Sequence, residues 1–309
     1  MRIVFLGSGA FAIPSLQALV AAGHEVAAVV TQPDREKGRG RALSPPPVKP
    51  VAEALGLPVL QPARIRLPEA QDSLRALAPE LQVVVAYGQI LPRSVIDTAP
   101  RGTINVHSSL LPRYRGAAPI HWAIVNGEPE TGVTTMMIDE GLDTGPILLK
   151  RATPIGAEET TPELEARLAA IGGTLLVETI DGLARGTVTP VPQDHAAATH
   201  APILRKEDGR IDWSAPAEVI ARRVRGLAPW PGTTTTWAGG DLKILRARPE
   251  ASGASAEPGT ILANDDGLLV ACGAGTALRI LEVQPASRRP MPAPAFAAGA
   301  RIVPGARLG

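Results

Sequence analysis

Apolar residues in the first half of the chain alternate between short unbroken runs and helical spacings. The runs predict buried strands at residues 3–6, 26–30, 81–86, 102–106 and 133–138. Between them, the spacings predict a helix that begins at Pro14 and ends before Gly23, and another over about residues 162–183. Strands that alternate with helices predict an α/β fold with a doubly wound, mostly parallel, Rossmann-like sheet that helices cover on both faces.

The pattern changes near residue 187. Residues 187–202 contain three prolines and three consecutive alanines, a composition typical of a linker. Short strand patterns follow at residues 233–237, 242–247, 260–263, 268–272 and 277–283, with one helix near residues 216–224. This predicts a small C-terminal β-barrel resembling the OB-fold. We therefore expect a first domain at residues 1–188, a linker at 189–206 and a barrel domain at 207–309.

Composition excludes several kinds of protein. Cys272 is the only cysteine, so the chain can form neither an intramolecular disulfide nor a cysteine-rich zinc site. The apolar run at the N-terminus is too short for a signal peptide, and no apolar stretch approaches the length of a membrane span. We therefore expect a cytoplasmic protein that does not enter a membrane.

Charge is divided unevenly along the chain. The net charge is +1, but residues 1–202 hold 17 Lys and Arg against 20 Asp and Glu, whereas residues 203–309 hold 14 against 10. The C-terminal third therefore has an excess of four positive charges, which favours nucleic acid as a partner. A solvated basic surface is the alternative interpretation.

A glycine-rich turn follows the first predicted strand. Gly7, Gly9 and Ala12 fit the loose pattern of dinucleotide-binding folds, in which backbone amides approach a phosphate. The acidic residue expected at the end of the second strand is missing, since that strand ends in Val30-Thr31-Gln32. We therefore favour a tight strand-to-helix turn and keep a nicotinamide-dependent dehydrogenase as an alternative.

A basic segment follows the second strand. Four of its seven residues are cations: Arg35, Lys37, Arg39 and Arg41. The two glycines between them predict a flexible loop rather than a helix. Such a loop suits contact with a phosphate backbone, and a mobile solvated loop is the alternative. Together with the predicted barrel, the loop leaves open a non-enzymatic RNA-binding module.

Candidate chemistry lies at two predicted strand ends. Asn105 and His107 are two residues apart in a strand, so their side chains point to the same face. They stand at the carboxyl end of a parallel strand, where open α/β sheets bind ligands. An amide and an imidazole there suit stabilisation of a developing oxyanion. Asp143, in a glycine-flanked loop after another strand, suits proton transfer beside the imidazole.

These motifs together resemble the formyltetrahydrofolate-dependent transformylase family. The resemblance is carried by Asn105-x-His107, by Ser109-Leu110-Leu111-Pro112 after it, and by Asp143 within Gly141-Leu142-Asp143-Thr144-Gly145. It implies an enzyme that takes a formyl group from 10-formyltetrahydrofolate and needs no metal and no nicotinamide. The family also includes enzymes that act on glycinamide ribonucleotide and on sugar nucleotides, so these motifs predict the chemistry but not the acceptor.

Three further features favour initiator methionyl-tRNA as the acceptor. The basic segment at residues 31–41 resembles an insertion of the tRNA-specific members. Residues 109–120 resemble their signature, and the C-terminal sequences Ile211-Asp212-Trp213, Pro229-Trp230-Pro231 and Val303-Pro304-Gly305 resemble their second domain. The extra basic domain disfavours a small acceptor. On this resemblance residues 1–188 form the catalytic domain and residues 207–309 the tRNA-binding domain.

The resemblance also implies roles for individual residues. The catalytic group is Asn105, His107 and Asp143. The folate cleft is expected at Tyr87, Gly88, Gln89, Ile90, Leu91, Ser109, Leu110, Leu111, Pro112 and Asp139. Contacts with tRNA are expected from Arg35, Lys37, Arg39, Arg41, Arg222, Arg223, Arg288 and Arg289. We expect the enzyme to act as a monomer.

Overall fold

The computed structural model describes residues 1–37, 42–251 and 256–309. These residues form two compact units along the chain. The first unit comprises Met1–Pro119, Thr131–Pro154 and Glu165–Ala201. The second comprises Ile120–Glu130, Ile155–Leu164 and Pro202–Gly309. The segment predicted as a linker is therefore divided, because its residues up to Ala201 pack with the first unit.

Strands are interleaved with helices up to residue 201, as the hydrophobic pattern predicts, although some strands follow one another directly. The strands are β1 (Arg2–Gly7), β2 (Glu25–Val30), β3 (Arg35–Lys37), β4 (Ala42–Ser44), β5 (Val59–Leu60), β6 (Leu81–Val85), β7 (Thr103–His107), β8 (Arg115–Gly116), β9 (Glu130–Met137), β10 (Ile147–Pro154) and β11 (His200–Ala201). The helices are α1 (Ile13–Ala21), α2 (Val48–Ala54), α3 (Pro68–Ala76), α4 (Arg93–Ile96), α5 (Pro119–Asn126) and α6 (Thr161–Arg185). Short 3-10 helices occupy Ala10–Ala12 and His195–Ala197.

The central sheet of the first unit has seven strands in the order β10-β9-β7-β6-β1-β2-β5. The pairs β1–β2, β1–β6, β6–β7 and β2–β5 are parallel, and β7–β9 is antiparallel. The chain builds outward from β1 to β5 on one side and then returns to place β6 on the other. The predicted doubly wound, mostly parallel sheet is thus confirmed.

Helices cover both faces of this sheet. On one face, Val84 packs in a core cluster with Ala70 and Leu74 of α3. On the other face, α6 approaches β7 so closely that a Cβ added to Gly172 would lie 3.0 Å from a methyl group of Val106. Val84 pairs with Asn105, so the Asn105 side chain points to the α3 face and Val106 to the α6 face.

The second unit adds an antiparallel sheet with a helix packed on it. Its strands are β12 (Thr233–Trp237), β13 (Gly240–Glu250), β14 (Ile261–Ala263), β15 (Leu268–Ala271), β16 (Ala277–Pro285) and β17 (Met291–Pro292), and its helices are α7 (Ala217–Gly226) and α8 (Ala293–Gly299). A 3-10 helix spans Lys206–Gly209. The strand order β12-β13-β16-β15-β14 makes a curled half-barrel, consistent with the small OB-like domain predicted from the sequence.

The core of the second unit follows from the spacing of apolar residues. Ile220 and Val224 lie one turn apart on α7, so both face inward. They join Leu242 and Ile244, which alternate along β13, in one buried cluster. The basic residues of α7 consequently lie on its other sides.

The basic segment differs from the loop that the sequence predicts. Arg35–Lys37 pairs with Ala42–Ser44 as a short antiparallel ribbon, β3–β4. Arg39 and Arg41 lie outside the described residues. The prediction missed this pairing because ribbon hydrogen bonds join backbone atoms and need no apolar alternation.

Over the three described ranges, none of the helices has both the length and the apolar composition that crossing a membrane requires.

Candidate active site

Asn105 and His107 occupy the carboxyl end of β7. Asn105 is half-buried, and among the described residues none forms a hydrogen bond with its side-chain amide. His107 is only 6% exposed, so its ring is held by the protein rather than by water. The shared face predicted for the two side chains agrees with the register of β7, in which Asn105 pairs with Met136 and His107 with Thr134.

The two ring nitrogens of His107 face two different oxygen atoms. Nε2 lies 3.0 Å from the carbonyl oxygen of Tyr114. Because a carbonyl oxygen only accepts hydrogen bonds, Nε2 is the donor. Nδ1 lies 3.7 Å from Oδ2 of Asp143. When both nitrogens carry protons, the imidazolium can direct one N–H at each oxygen.

Asp143 stands in the loop that joins β9 to β10. The main-chain amide of Gly116 donates to its Oδ2 at 2.8 Å. The φ angle of Asp143 is +54°, in the left-handed region that L-residues with a side chain rarely adopt. Its carboxylate is only partly exposed, at 14%. The loop therefore holds this carboxylate against the end of β7 at the expense of local backbone strain.

Asp139 organises the same loop from its start. Its Oδ1 accepts from the Gly141 amide at 3.0 Å and from the Thr144 hydroxyl at 2.6 Å. The Met137 amide donates to the Pro146 carbonyl at 2.9 Å and closes the loop. Asp139, which the sequence analysis assigns to the folate cleft, thus has one carboxylate oxygen engaged in shaping the turn.

Gln193 and Arg115 belong to the site although the sequence analysis gave neither a role. Gln193 donates from Nε2 to the carbonyl oxygens of Asp143 at 2.9 Å and of Gly145 at 2.8 Å. Its Oε1 accepts from Nε and Nη2 of Arg115, at 3.1 and 2.7 Å. Both side chains are buried. No local signal marks Gln193, because its partners lie about 50 and 78 residues away along the chain.

The predicted folate residues at 87–91 differ in accessibility. Tyr87 is buried, its hydroxyl has no partner among the described residues, and burial raises the pKa of Tyr87 to about 12. Gln89 is engaged within the protein, because its side-chain oxygen accepts from the Ile65 amide at 2.8 Å. Leu91 packs partly buried against the core, whereas Ile90 is 94% exposed. Gly88 has φ +84°, a turn conformation suited to glycine.

Hydrogen bonds to the buried Thr134 hold the turn at residues 109–112. The Thr134 hydroxyl donates to the Ser109 carbonyl at 2.7 Å and accepts from the Leu111 amide at 3.1 Å. The Ser109 hydroxyl donates to the Arg113 carbonyl at 2.6 Å. Ser109 and Leu111 are buried, whereas Leu110 and Pro112 are partly exposed. The segment is thus a fixed wall beside Asn105 and His107.

The crevice expected of a dinucleotide-binding fold is occupied by the protein's own hydrogen bonds. The sheet order changes direction between β1 and β6, the usual place for such a ligand. There the amides of Ser8 and Gly9 both donate to the Ala86 carbonyl, at 3.2 and 3.3 Å. The Ser8 hydroxyl donates to the Tyr87 carbonyl at 3.1 Å. These amides are therefore not directed at a phosphate, which argues against the dehydrogenase alternative.

Of the predicted tRNA cations of the first unit, Arg35 and Lys37 belong to β3, whereas Arg39 and Arg41 fall outside the described residues. Arg35 is exposed, and its Nη2 donates to the Gln32 side chain at 3.1 Å. Lys37 ends β3. The base of the ribbon is anchored by Asp34, whose carboxylate accepts from Gln61 at 2.6 Å and from Lys49 at 2.9 Å. Hydrogen bonds from Gln61 and then Lys49 lower the pKa of Asp34, so the ionised carboxylate of this anchor persists to more acidic pH than an ordinary aspartate.

The predicted tRNA cations of the second unit fall into two groups. Arg222 and Arg223 of α7 are half-buried. Arg223 donates to the main-chain carbonyl of Asp208, and Arg222 lies against Gly127. Arg288 and Arg289, after β16, are exposed. The α7 pair therefore has contacts within the unit that the second pair does not share.

Across the described part of the chain, there is no cluster of three or more His, Cys, Asp or Glu side chains suited to holding a metal ion. The chemistry available to the site consists of an unengaged amide, an imidazole and a carboxylate at one sheet edge. Such a set can stabilise negative charge on oxygen and move a proton.

Comparison with known proteins shows which family has this sequence. The sequence matches the formyl transferase family over residues 1–180 and the C-terminal domain of formyl transferases over residues 203–301. It is 57% identical over 309 residues to a protein of Solibacter usitatus named methionyl-tRNA formyltransferase, covering 100% of this chain and 99% of that one. It is 54% identical over 310 residues to a protein of the same name from Citrifermentans bemidjiense, covering 100% of this chain and 96% of that one.

A solved structure also has this fold. HypX from Aquifex aeolicus, determined in complex with tetrahydrofolic acid, matches with a TM-score of 0.66 at 20% sequence identity. The match covers 96% of this chain and 47% of HypX, so the chain spans about half the length of that protein.

Proposed function

The chain belongs to the formyl transferase family, and we propose that within this family it transfers the formyl group of 10-formyltetrahydrofolate to the α-amino group of initiator methionyl-tRNA. The observation that carries this proposal is the full-length similarity to methionyl-tRNA formyltransferases at 50–57% identity. The convergence of Asn105, His107 and Asp143 at one sheet edge supports it independently. The chain is therefore a transferase that uses a folate as formyl donor.

The proposed reaction requires stabilisation of one negative oxygen. When the amine attacks the formyl carbon, a carbon–nitrogen bond forms and the formyl oxygen takes up negative charge. Asn105 donates a hydrogen bond to that oxygen, since no described residue engages its amide. His107, as an imidazolium, adds positive charge beside it. The Tyr114 carbonyl keeps the imidazole oriented through Nε2.

Proton transfer is the second requirement. The attacking amine must lose a proton, and the folate nitrogen must gain one as its bond to the formyl carbon breaks. Asp143 moves this proton, through a water molecule, because its carboxylate is partly exposed and adjoins His107. The products are formylmethionyl-tRNA and tetrahydrofolate. The proposed reaction steps use neither a metal nor a redox cofactor.

We place the folate cleft between residues 87–91 and 109–112, with Asp139 at its edge. The hydrogen bonds of Gln89 and Thr134 make both walls rigid before the ligand arrives. Exposed Ile90 then offers apolar surface to the ligand. Buried Tyr87 and Leu111 act as support behind the wall.

For tRNA we propose contacts from the basic segment, through Arg35, Lys37, Arg39 and Arg41, and from the C-terminal domain. Residues 1–188 would supply the catalytic groups and residues 207–309 would bind tRNA, while the part of residues 189–206 up to Ala201 packs with the first unit. The positive excess of residues 203–309 supports this division. Because its substrates belong to translation initiation, we propose that the enzyme works in the cytoplasm, as a monomer.

Formylation assays with three acceptors test the function. Purified protein with 10-formyltetrahydrofolate should formylate methionyl-initiator tRNA and leave glycinamide ribonucleotide and an amino-sugar nucleotide unchanged. Product would be measured as acid-precipitable labelled formylmethionyl-tRNA. Transfer to a small acceptor with none to tRNA would overturn the proposal in favour of a sister transformylase.

A further inference from the structure

We infer that Gln193 is a positioning residue that fixes the catalytic carboxylate of Asp143, an inference that rests on the proposed function. Gln193 begins a segment, residues 193–201, that we name the strap. The strap is the last segment of the first unit along the chain. The sequence analysis assigned it to the linker because of its composition.

The carboxamide of Gln193 uses its full hydrogen-bonding capacity on the site. Its two N–H groups donate to the carbonyls of Asp143 and Gly145, and its oxygen accepts twice from Arg115. Reversing the amide would set its oxygen against two carbonyl oxygens and its N–H groups against the guanidinium. One orientation alone is therefore compatible, and it ties the Asp143 loop to Arg115.

The strap also holds the segment that orients His107. The Thr199 hydroxyl accepts from the Tyr114 amide at 2.8 Å, and the Thr199 carbonyl accepts from the Arg115 amide at 2.8 Å. Tyr114 supplies the carbonyl that faces His107, and Gly116 supplies the amide that binds Asp143. Both catalytic side chains are thus oriented by a segment that the strap holds in place.

The backbone of Asp143 explains why such a restraint is required. A φ of +54° lies in the left-handed region, which residues with a side chain occupy less readily than the ordinary backbone conformations. Without the two hydrogen bonds from Gln193 the loop would relax, and the carboxylate would move relative to His107. Shifts of about 1 Å at a reacting group lower rates by as much as about a hundredfold.

A mutational cycle tests the inference. Single-turnover formylation would be measured with saturating substrates in the parent, Gln193→Leu, Asp143→Ala and the double variant. We expect Gln193→Leu to slow the parent by about 10- to 100-fold while the Kd values for both substrates change little. In the Asp143→Ala background the same substitution should have almost no effect, because there is no carboxylate left to position.

Two further variants keep the test decisive. Gln193→Glu retains the acceptor for Arg115 but loses both donors to the loop, so it should slow the reaction even if Gln193→Leu fails to fold. Gln71→Ala removes a glutamine whose amide binds one carbonyl, that of Arg66, outside the site, and should react like the parent. The rate of the parent on methionyl-tRNA tests the proposed function separately. Parent-like rates in both Gln193 variants, or equal decreases with and without Asp143, would overturn the inference.

Discussion

Nδ1 of His107 lies 3.7 Å from Oδ2 of Asp143, although the two residues come from different strand ends. The same carboxylate oxygen accepts from the Gly116 amide. Oδ2 of Asp143 therefore has two roles. It accepts a hydrogen bond from Gly116, which an amide oxygen could also do, and it places a negative charge beside His107, which only a carboxylate supplies.

This relationship predicts different outcomes for closely related substitutions. Asp143→Asn keeps an acceptor for Gly116 but cannot take up a proton, so turnover should fall by about a hundredfold or more with little change in melting temperature. Asn105→Ala and His107→Ala should lower turnover on the same scale. Asp72→Ala, at an exposed carboxylate that pairs with Arg75, is the control. Near-parental single-turnover rates for Asp143→Asn would refute its assignment.

A pair of glycines tests the shape of the loop without touching its side chains. A Cβ at Gly145 would overlap the carbonyl oxygen of Met137, whereas a Cβ at Gly299 would meet no atom within 4 Å. Gly145→Ala should therefore displace the Asp143 loop and lower turnover by about a hundredfold. Gly299→Ala should leave rate and melting temperature unchanged. Full activity in Gly145→Ala would mean that the loop adapts freely.

The basic segment at residues 35–41 should contribute to tRNA binding and not to folate binding. Arg35→Ala and Arg39→Ala should lower the rate at subsaturating tRNA, because each removes a cation able to bind phosphate. Folate affinity, measured by calorimetry, should not change. Arg101→Ala serves as the matched control. It removes an exposed cation that precedes β7, at the amino end of that strand, whereas the basic segment follows the carboxyl end of β2. An equal decrease in all three variants would point to general electrostatics instead.

Exposed and half-buried arginines of the second unit should differ in what their replacement changes. Replacing both Arg288 and Arg289 with Ala should reduce the slope of log affinity for tRNA against log salt by about 0.7–0.9 for each phosphate that is no longer neutralised. Arg223→Ala should chiefly lower the melting temperature, because Arg223 binds the Asp208 carbonyl. Filter binding across a salt series measures the slopes. If the double variant keeps the parental slope, Arg288 and Arg289 do not neutralise tRNA phosphates.

Cys272 reports on the integrity of the second unit. The thiol is buried, and burial raises the pKa of Cys272 to about 11. The reactive thiolate is therefore scarce at pH 8, and labelling by a thiol reagent should be at least about a hundredfold slower than in denaturant. The rate should rise as the pH approaches 11. Since Cys272 is the only cysteine, rapid labelling of native protein would show directly that this core opens.

The sequence allowed much of the fold to be predicted, because strand burial leaves a local apolar signal. Predicted strands such as residues 81–86 and 233–237 agree with β6 and β12 to within a residue. The short strand β5 has only two residues, too few for a pattern, and the ribbon β3–β4 depends on backbone pairing. Both were missed.

The candidate site could be predicted only where its residues lie in motifs. Asn105 and His107 lie in the last three residues of β7 and Asp143 lies in the loop after β9, so topology brings them to the same end of the sheet, and their roles stay predictions. Gln193 follows proline-rich sequence and acquires its function from contacts with distant residues. Such a role depends on tertiary structure, and no local pattern carries it.

The left-handed backbone at Asp143 has a consequence for which sequences this loop can evolve. Glycine, asparagine and aspartate tolerate that conformation best. Glycine lacks the acid, asparagine keeps the turn without the acid, and glutamate keeps the acid but fits the turn poorly. The position therefore has two requirements, a left-handed backbone and an acidic side chain, and aspartate alone meets both. Natural variation at this position should accordingly be far narrower than its place in a surface loop would suggest.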